Sequence, residues 1–170
     1  TGGMAGLLTQ VIQRVSGKGG EPVIQLKTAF GGGKTHSMIA LYHLLRNATT
    51  ADRLPGVAPI LARAGVPSLP ETRVAVLVGT SLDPTKSRRD DRLPGHTINT
   101  FWGEMTAQLA KQCGNPRLYE LIKESDKKGV SPGSEVLAEI LDRAGPCLIL
   151  IDELVSYARK IYGHTDLPAG

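Results

Sequence analysis

The run Gly31-Gly32-Gly33-Lys34-Thr35 constrains this chain more than any other stretch. Consecutive glycines let a backbone curl with its N–H groups turned inward and no Cβ in the way. The apolar residues Val23-Ile24-Gln25-Leu26 come just before it, and an amphipathic segment follows, with Met38, Ile39, Tyr42 and Leu45 on one face and Leu41 beside them. That order reads as a strand over 22–27, a phosphate-binding loop over 28–35 and a helix over 34–46. The opening helix adds its positive end to the loop. Lys34 would reach the β/γ-phosphates of a nucleoside triphosphate as a point charge, and Thr35 would set its hydroxyl on Mg²⁺. The spacing for such loops is G-x-x-x-x-G-K-[ST]. Here the segment is Thr28-Ala29-Phe30-Gly31-Gly32-Gly33-Lys34-Thr35, so Thr28 stands where the first glycine is expected. The departure touches the entry turn and leaves residues 31–35, the anion-binding part, intact.

A second motif follows far downstream. Cys147-Leu148-Ile149-Leu150-Ile151 is a continuous apolar run that ends in Asp152-Glu153. It reads as a buried strand delivering carboxylates at its carboxyl end, where parallel sheets place their ligands. Asp152 would hold Mg²⁺ through a water, and Glu153 would polarise the attacking water as a general base. Each motif has a plainer reading: a glycine turn before a solvated lysine, or an acidic helix start favoured by the helix dipole. Together they favour the two halves of one triphosphate site. Glu153 also separates hydrolysis from small-molecule phosphoryl transfer, which needs no activated water.

The remaining pattern places these motifs. Met4, Leu7, Leu8, Val11, Ile12 and Val15 have helical spacing, ended by Gly17 and Gly19-Gly20. A short helix is expected over 57–64, and the run Arg73-Val74-Ala75-Val76-Leu77-Val78-Gly79 is expected as a buried parallel strand. Residues 81–97 read as a polar loop. Helices are expected over 100–112 and 116–124, then from Ser131-Pro132, with Ser131 as cap, to Gly145-Pro146, and finally over 153–162. Strands alternating with helices give an α/β class with a parallel sheet flanked by helices. Aromatic residues are only 4%, so the core must be aliphatic. Thr1-Gly2-Gly3 reads as a cut inside a longer protein. A sheet of this type also continues past its acidic strand, so the chain is expected to be an incomplete fragment, the N-terminal part of a P-loop ATPase domain.

Composition excludes little else. The formal net charge of +4 permits nucleic-acid contact without arguing for it, since no basic stripe is interleaved with aromatics. Lys86, Arg88, Arg89 and Arg92 are offset by Asp90 and Asp91, as on a solvated loop. Cys113 and Cys147 suit a reducing compartment, and His36, His43, His96 and His164 form no metal pattern. Thr80 and Ser81 at a strand end read as turn residues more readily than as phosphate sensors. Arg159 and Lys160 read as a solvated face, with contact to a neighbouring subunit's nucleotide as the alternative. No apolar run approaches the roughly 20 residues of a membrane helix, and no leader pattern opens the chain.

The chain resembles a family of large prokaryotic P-loop ATPases, AAA-like in type and catalogued as a domain of unknown function. The resemblance lies in Gln25-Leu26-Lys27-Thr28-Ala29-Phe30-Gly31-Gly32-Gly33-Lys34-Thr35-His36-Ser37, Leu41-Tyr42-His43 and Val74-Ala75-Val76-Leu77-Val78-Gly79-Thr80. It continues in Thr100-Phe101-Trp102-Gly103-Glu104 and Leu150-Ile151-Asp152-Glu153-Leu154-Val155-Ser156-Tyr157-Ala158-Arg159. It implies Phe30, Gly31, Gly32, Gly33, Lys34, Thr35 and His36 at ATP, Thr35 and Asp152 at Mg²⁺, and Lys34 and Glu153 in catalysis. The family tolerates a residue such as Thr28 at the loop entry. Its members are encoded beside DNA methyltransferases in phage-defence settings. That implies a cytoplasmic ATPase with possible DNA and methyltransferase-type partners; a possible homo-oligomer is a separate expectation. A nucleotide-dependent switch that hydrolyses little is the rival expectation.

Overall fold

Helically spaced apolar residues and two β-branched runs fold this chain as mixed α and β structure. The computed structural model describes residues 2–27, 33–51, 53–91, 93 and 95–162. The chain divides into two units, Thr1–Thr72 and Arg73–Gly170.

In the first unit the regular structure of the described residues is helical: α1 (Gly2–Val15), α2 (Lys34–Arg46), α3 (Ala48–Ala51) and α4 (Val57–Ala64). Helix α1 packs against α4, and α2 against α3. Leu8, Val11 and Ile12 of α1 are buried, as are Leu41, Leu44 and Leu45 of α2 and Val57, Leu61 and Ala64 of α4. Each such side chain larger than alanine contributes about 1.5–3 kcal/mol when fully buried. The buried stripe of α2 is rotated from the expected face, and Ile39 is half exposed. The strand expected over 22–27 is not formed. Val23 is 75% exposed, Ile24 and Leu26 are half-buried, and no strand pairs with the segment among the described residues. A strand needs a neighbour to take up its backbone groups, and apolar content alone does not supply one.

The second unit holds β1 (Arg73–Val78), β2 (Arg88–Arg89), β3 (Thr97–Ile98), α5 (Phe101–Gln112), α6 (Arg117–Glu120), α7 (Lys123–Lys127), α8 (Ser134–Ala144), β4 (Cys147–Asp152) and α9 (Leu154–Tyr162). Strands β1 and β4 pair in parallel, in register from Arg73 with Cys147 to Val78 with Asp152. The two runs read as strands are therefore neighbours, and their carboxyl ends lie side by side. Ala75 and Leu77 are fully buried and join Phe101, Met105, Leu109, Leu118, Ile122, Ile140 and Tyr157 in one core. Strand β4 is less covered than expected, with Ile151 41% exposed.

The edge of β1 away from β4 is closed by side chains. Gln112 accepts from Val74 N–H (2.9 Å) through Oε1 and donates to Val74 C=O (2.9 Å) through Nε2. Gln108 does the same for Val76, at 2.8 Å in both directions. The match is geometric. Two residues along a strand advance about 6.6 Å, and four along a helix about 6 Å, so amides at i and i+4 of α5 meet alternate residues of β1. Gln108 is itself fixed by donating to Glu104 (2.6 Å), a buried carboxylate paired with Arg88. Each glutamine therefore does locally what a third strand would do. Gln112→Ala should raise exchange of the Val74 amide, and Gln108→Ala that of Val76, each by about tenfold or more, from the loss of a bond worth about 1–3 kcal/mol. Equal protection in both variants would contradict the assignment.

Other elements depart from expectation in small ways. The helix expected over 116–124 breaks into α6 and α7, which lets Tyr119 and Asp126 meet (2.6 Å). Ser131 does not cap α8: its hydroxyl bonds Pro132 C=O, Pro132 is buried, and the helix begins at Ser134 behind Gly133. The polar loop over 81–97 contains β2, which pairs with β3 in an antiparallel ladder too short to show periodicity.

Candidate functional site

In the first unit the candidate residues lie where α2 begins. Phe30, Gly31 and Gly32, with Thr28 and Ala29, lie outside the described residues. Gly33 sits at φ 79° and ψ 12°, a left-handed conformation that costs glycine little. Its carbonyl accepts from Ser37 N–H (2.9 Å) and Ser37 Oγ (3.0 Å), closing the first helical turn. Lys34, half-buried, and the exposed Thr35 and His36 are the first residues of α2, and that turn carries no acidic side chain. A cation and a hydroxyl thus stand at the positive end of a helix opened by glycine, which is anion-binding chemistry.

In the second unit the candidate residues lie at the carboxyl ends of β1 and β4. Asp152 closes β4, and its Oδ1 accepts from Glu153 N–H (3.0 Å). Glu153 is exposed and has φ 53°, the one positive φ among the described residues other than glycine. A side chain held there costs on the order of 1 kcal/mol and needs a surrounding structure that enforces it. Gly79 supplies that contact. Its N–H donates to Asp152 C=O (2.9 Å), and a Cβ at this position would lie 2.0 Å from the Glu153 carbonyl oxygen. Only glycine allows the loop after β1 to lie this close to the turn.

Thr80 and Ser81 behave as turn residues: the Ser81 N–H donates to Val78 C=O (3.0 Å) and both side chains are exposed. Lys160 is not a solvated side chain. Its Nζ donates to the carbonyls of Gly79 (3.2 Å), Thr80 (2.8 Å) and Leu82 (2.7 Å). An ammonium has three N–H donors, and all three have acceptors within this unit. Arg159 is exposed.

A buried carboxylate holds the neighbouring start of α5. Asp126, 1% exposed, accepts from Asn99 N–H (2.9 Å), Asn99 Nδ2 (3.1 Å), Thr100 N–H (2.9 Å), the Thr100 hydroxyl and the Tyr119 hydroxyl (2.6 Å). Thr100 caps α5 by accepting from Gly103 N–H (3.0 Å). A Cβ at Gly103 would lie 2.1 Å from Asp126 Oδ1. This explains the Thr100-Phe101-Trp102-Gly103 run: cap, two aromatic core residues and a close approach. Burial, reinforced by Asp126, holds the Tyr119 hydroxyl well above its ordinary value of 10.0. Tyr157 is also raised, chiefly by burial, although its hydroxyl accepts from Phe101 N–H (3.1 Å). Burial likewise raises the Cys147 thiol, a setting that favours packing over reactivity.

Two of the four basic residues in the cluster pair with carboxylates. Lys86 meets Asp83 (3.5 Å), and Arg88 binds Glu104; Arg92 lies outside the described residues. Ser81, Arg88, Asn99, Thr100, Glu104 and Tyr157 help line a cavity of about 300 Å³, to which neither Asp152 nor Glu153 contributes. Among the described residues no group of three or more His, Cys, Asp or Glu converges as a metal site. Magnesium bound through nucleotide phosphates needs no such group, because one carboxylate, a hydroxyl and waters suffice. The Thr35 hydroxyl and Asp152 carboxylate are hard oxygen donors of the right kind. Among the described residues no helix is long and apolar enough to cross a membrane.

These features define a mixed α/β chain with a glycine-opened helix and a parallel strand pair of which one strand, β4, ends in Asp152. The family model described as DUF499 N-terminal domain matches residues 1–166, and the chain belongs to that family, a domain of unknown function. Comparison with curated proteins and with solved structures finds no match.

Proposed function

We propose that this chain binds Mg²⁺-ATP and hydrolyses it, as the N-terminal part of an AAA-like P-loop ATPase domain. The observation that carries the reading is the opening of α2: Lys34 and Thr35 begin the helix directly behind Gly33 at φ 79°. A glycine in a left-handed turn directly before a Lys-Thr helix start supports a phosphate-binding role for this segment. The acidic end of β4 gives separate support, since a paired parallel strand presents Asp152 and a conformationally constrained Glu153 at its carboxyl end.

In this reading residues 30–33 and His36 line the phosphates, and Lys34 carries the compensating charge. Thr35 and Asp152 would hold Mg²⁺, which would supply electrostatic stabilisation of phosphate charge. Glu153 orients a water and accepts its proton. The family resemblance adds a cytoplasmic setting and coupling to rearrangement of a DNA-associated defence complex with methyltransferase-type partners. Mg²⁺-ATP at about 1,000 times its dissociation constant should stabilise the protein by roughly 4 kcal/mol. A clear rise in Tm with Mg²⁺-ATP, absent in Lys34→Ala, is the expected result. Equal shifts in both proteins would show that the glycine loop is not the site.

A further inference from the structure

We propose that Lys160 is a positioning residue for Glu153, acting through the Gly79–Leu82 loop; this rests on the reading of Glu153 as the base of an ATPase. Three observations converge on it. Glu153 is held at φ 53°, outside its own preference. Its carbonyl lies against Gly79 so tightly that no side chain fits there. The loop that carries Gly79 is tied at three carbonyls to one ammonium, Lys160 Nζ.

The arrangement closes a ring of contacts. From Glu153 the chain enters α9, where Ser156 N–H returns to Glu153 C=O (2.9 Å). Two turns of helix after Glu153, Lys160 projects back over the loop after β1. That loop begins with Gly79, whose N–H binds Asp152 C=O (2.9 Å). Release of the loop would let Gly79 retreat, and the left-handed turn at Glu153 would relax toward ordinary helix geometry. The carboxylate would then point elsewhere. Lys160 touches neither carboxylate in any of its three bonds, so its influence on the chemistry is indirect. Its ammonium is tetrahedral and its three acceptors converge. A guanidinium spreads its N–H donors over a rigid plane instead of radiating three from one tetrahedral nitrogen, so Lys160→Arg keeps the charge but not this clamp.

The test uses the full-length protein. Lys160→Met and Lys160→Arg should both lower kcat for ATP hydrolysis, by about tenfold to a hundredfold as expected for a misplaced catalytic group. KM for ATP should stay within about twofold, since the proposal leaves phosphate binding to residues 30–36. Amide exchange at Gly79 and Ser156 should quicken in both variants. Added propylammonium should restore part of the turnover of Lys160→Ala, which a merely destabilised fold would not do. Normal kcat in Lys160→Arg and Lys160→Met beside an active wild type would overturn the positioning role and leave the ATPase reading standing. No turnover in the wild type would overturn both.

Discussion

Glu153→Gln should keep Mg²⁺-ATP binding and lose ATP turnover by about a hundredfold or more, the usual contribution of a positioned general base. The amide is isosteric with the carboxylate, and the backbone around it is set by others: Gly79 against the Glu153 carbonyl, Ser156 N–H on that carbonyl, and Asp152 Oδ1 on the Glu153 N–H. Loss of activity would therefore report on the proton-accepting oxygen and not on a moved turn. Glu153→Gly makes the complementary point. It removes a side chain held at φ 53° and should leave stability unchanged or raise it by about 1 kcal/mol, yet abolish turnover. A residue whose removal relieves strain is one retained for function. Turnover in Glu153→Gln equal to that of wild type would remove this residue from the mechanism.

Asp126→Asn should lower the stability of the second unit by on the order of 3 kcal/mol or more, a fall in Tm of roughly 15 °C for a unit of this size. Every group facing the Asp126 carboxylate is a donor: two from Asn99, two from Thr100 and one from Tyr119. An asparagine NH₂ must oppose at least one of them in either flip state, at a site 1% exposed. The damage spreads because Thr100 caps α5, and α5 carries the glutamines that close β1. Asp142→Asn on the exposed face of α8 is the control, expected within about 0.5 kcal/mol. Calorimetric unfolding of the three proteins decides, and equal Tm values for Asp126→Asn and wild type would contradict the hub.

Helices α2 and α4, the span of α5, and β1 and β4 as strands of a parallel sheet, though not as neighbours, were legible because local signals marked them. These were glycine at the start of α2, β-branched runs bounded by loops, and helical spacing of aliphatic residues. The segment over 22–27 carries the same apolar signal, but strand formation depends on a neighbour, and composition does not show where the neighbour is. The polar machinery was the least legible. Asp126 sits in the run Glu124-Ser125-Asp126-Lys127-Lys128, where nothing distinguishes a buried hub from a solvated charge. Gln108 and Gln112 left a faint trace, being polar residues at i, i+4 near Met105 and Leu109. Lys160 read as a solvated cation because its three acceptors are backbone carbonyls some 80 residues earlier, and backbone groups leave no mark in a sequence. The carboxylates at the end of β4 were found where expected, but the constraint on Glu153 becomes visible only with its φ angle and Gly79.

The most direct measurement is ATP turnover by the full-length protein with Mg²⁺, in the presence and absence of duplex DNA, beside Glu153→Gln. The expected result is turnover that rises with DNA and is lost in the variant. Tight ATP binding with negligible wild-type turnover under both conditions would contradict hydrolysis and mark the protein as a nucleotide-dependent switch.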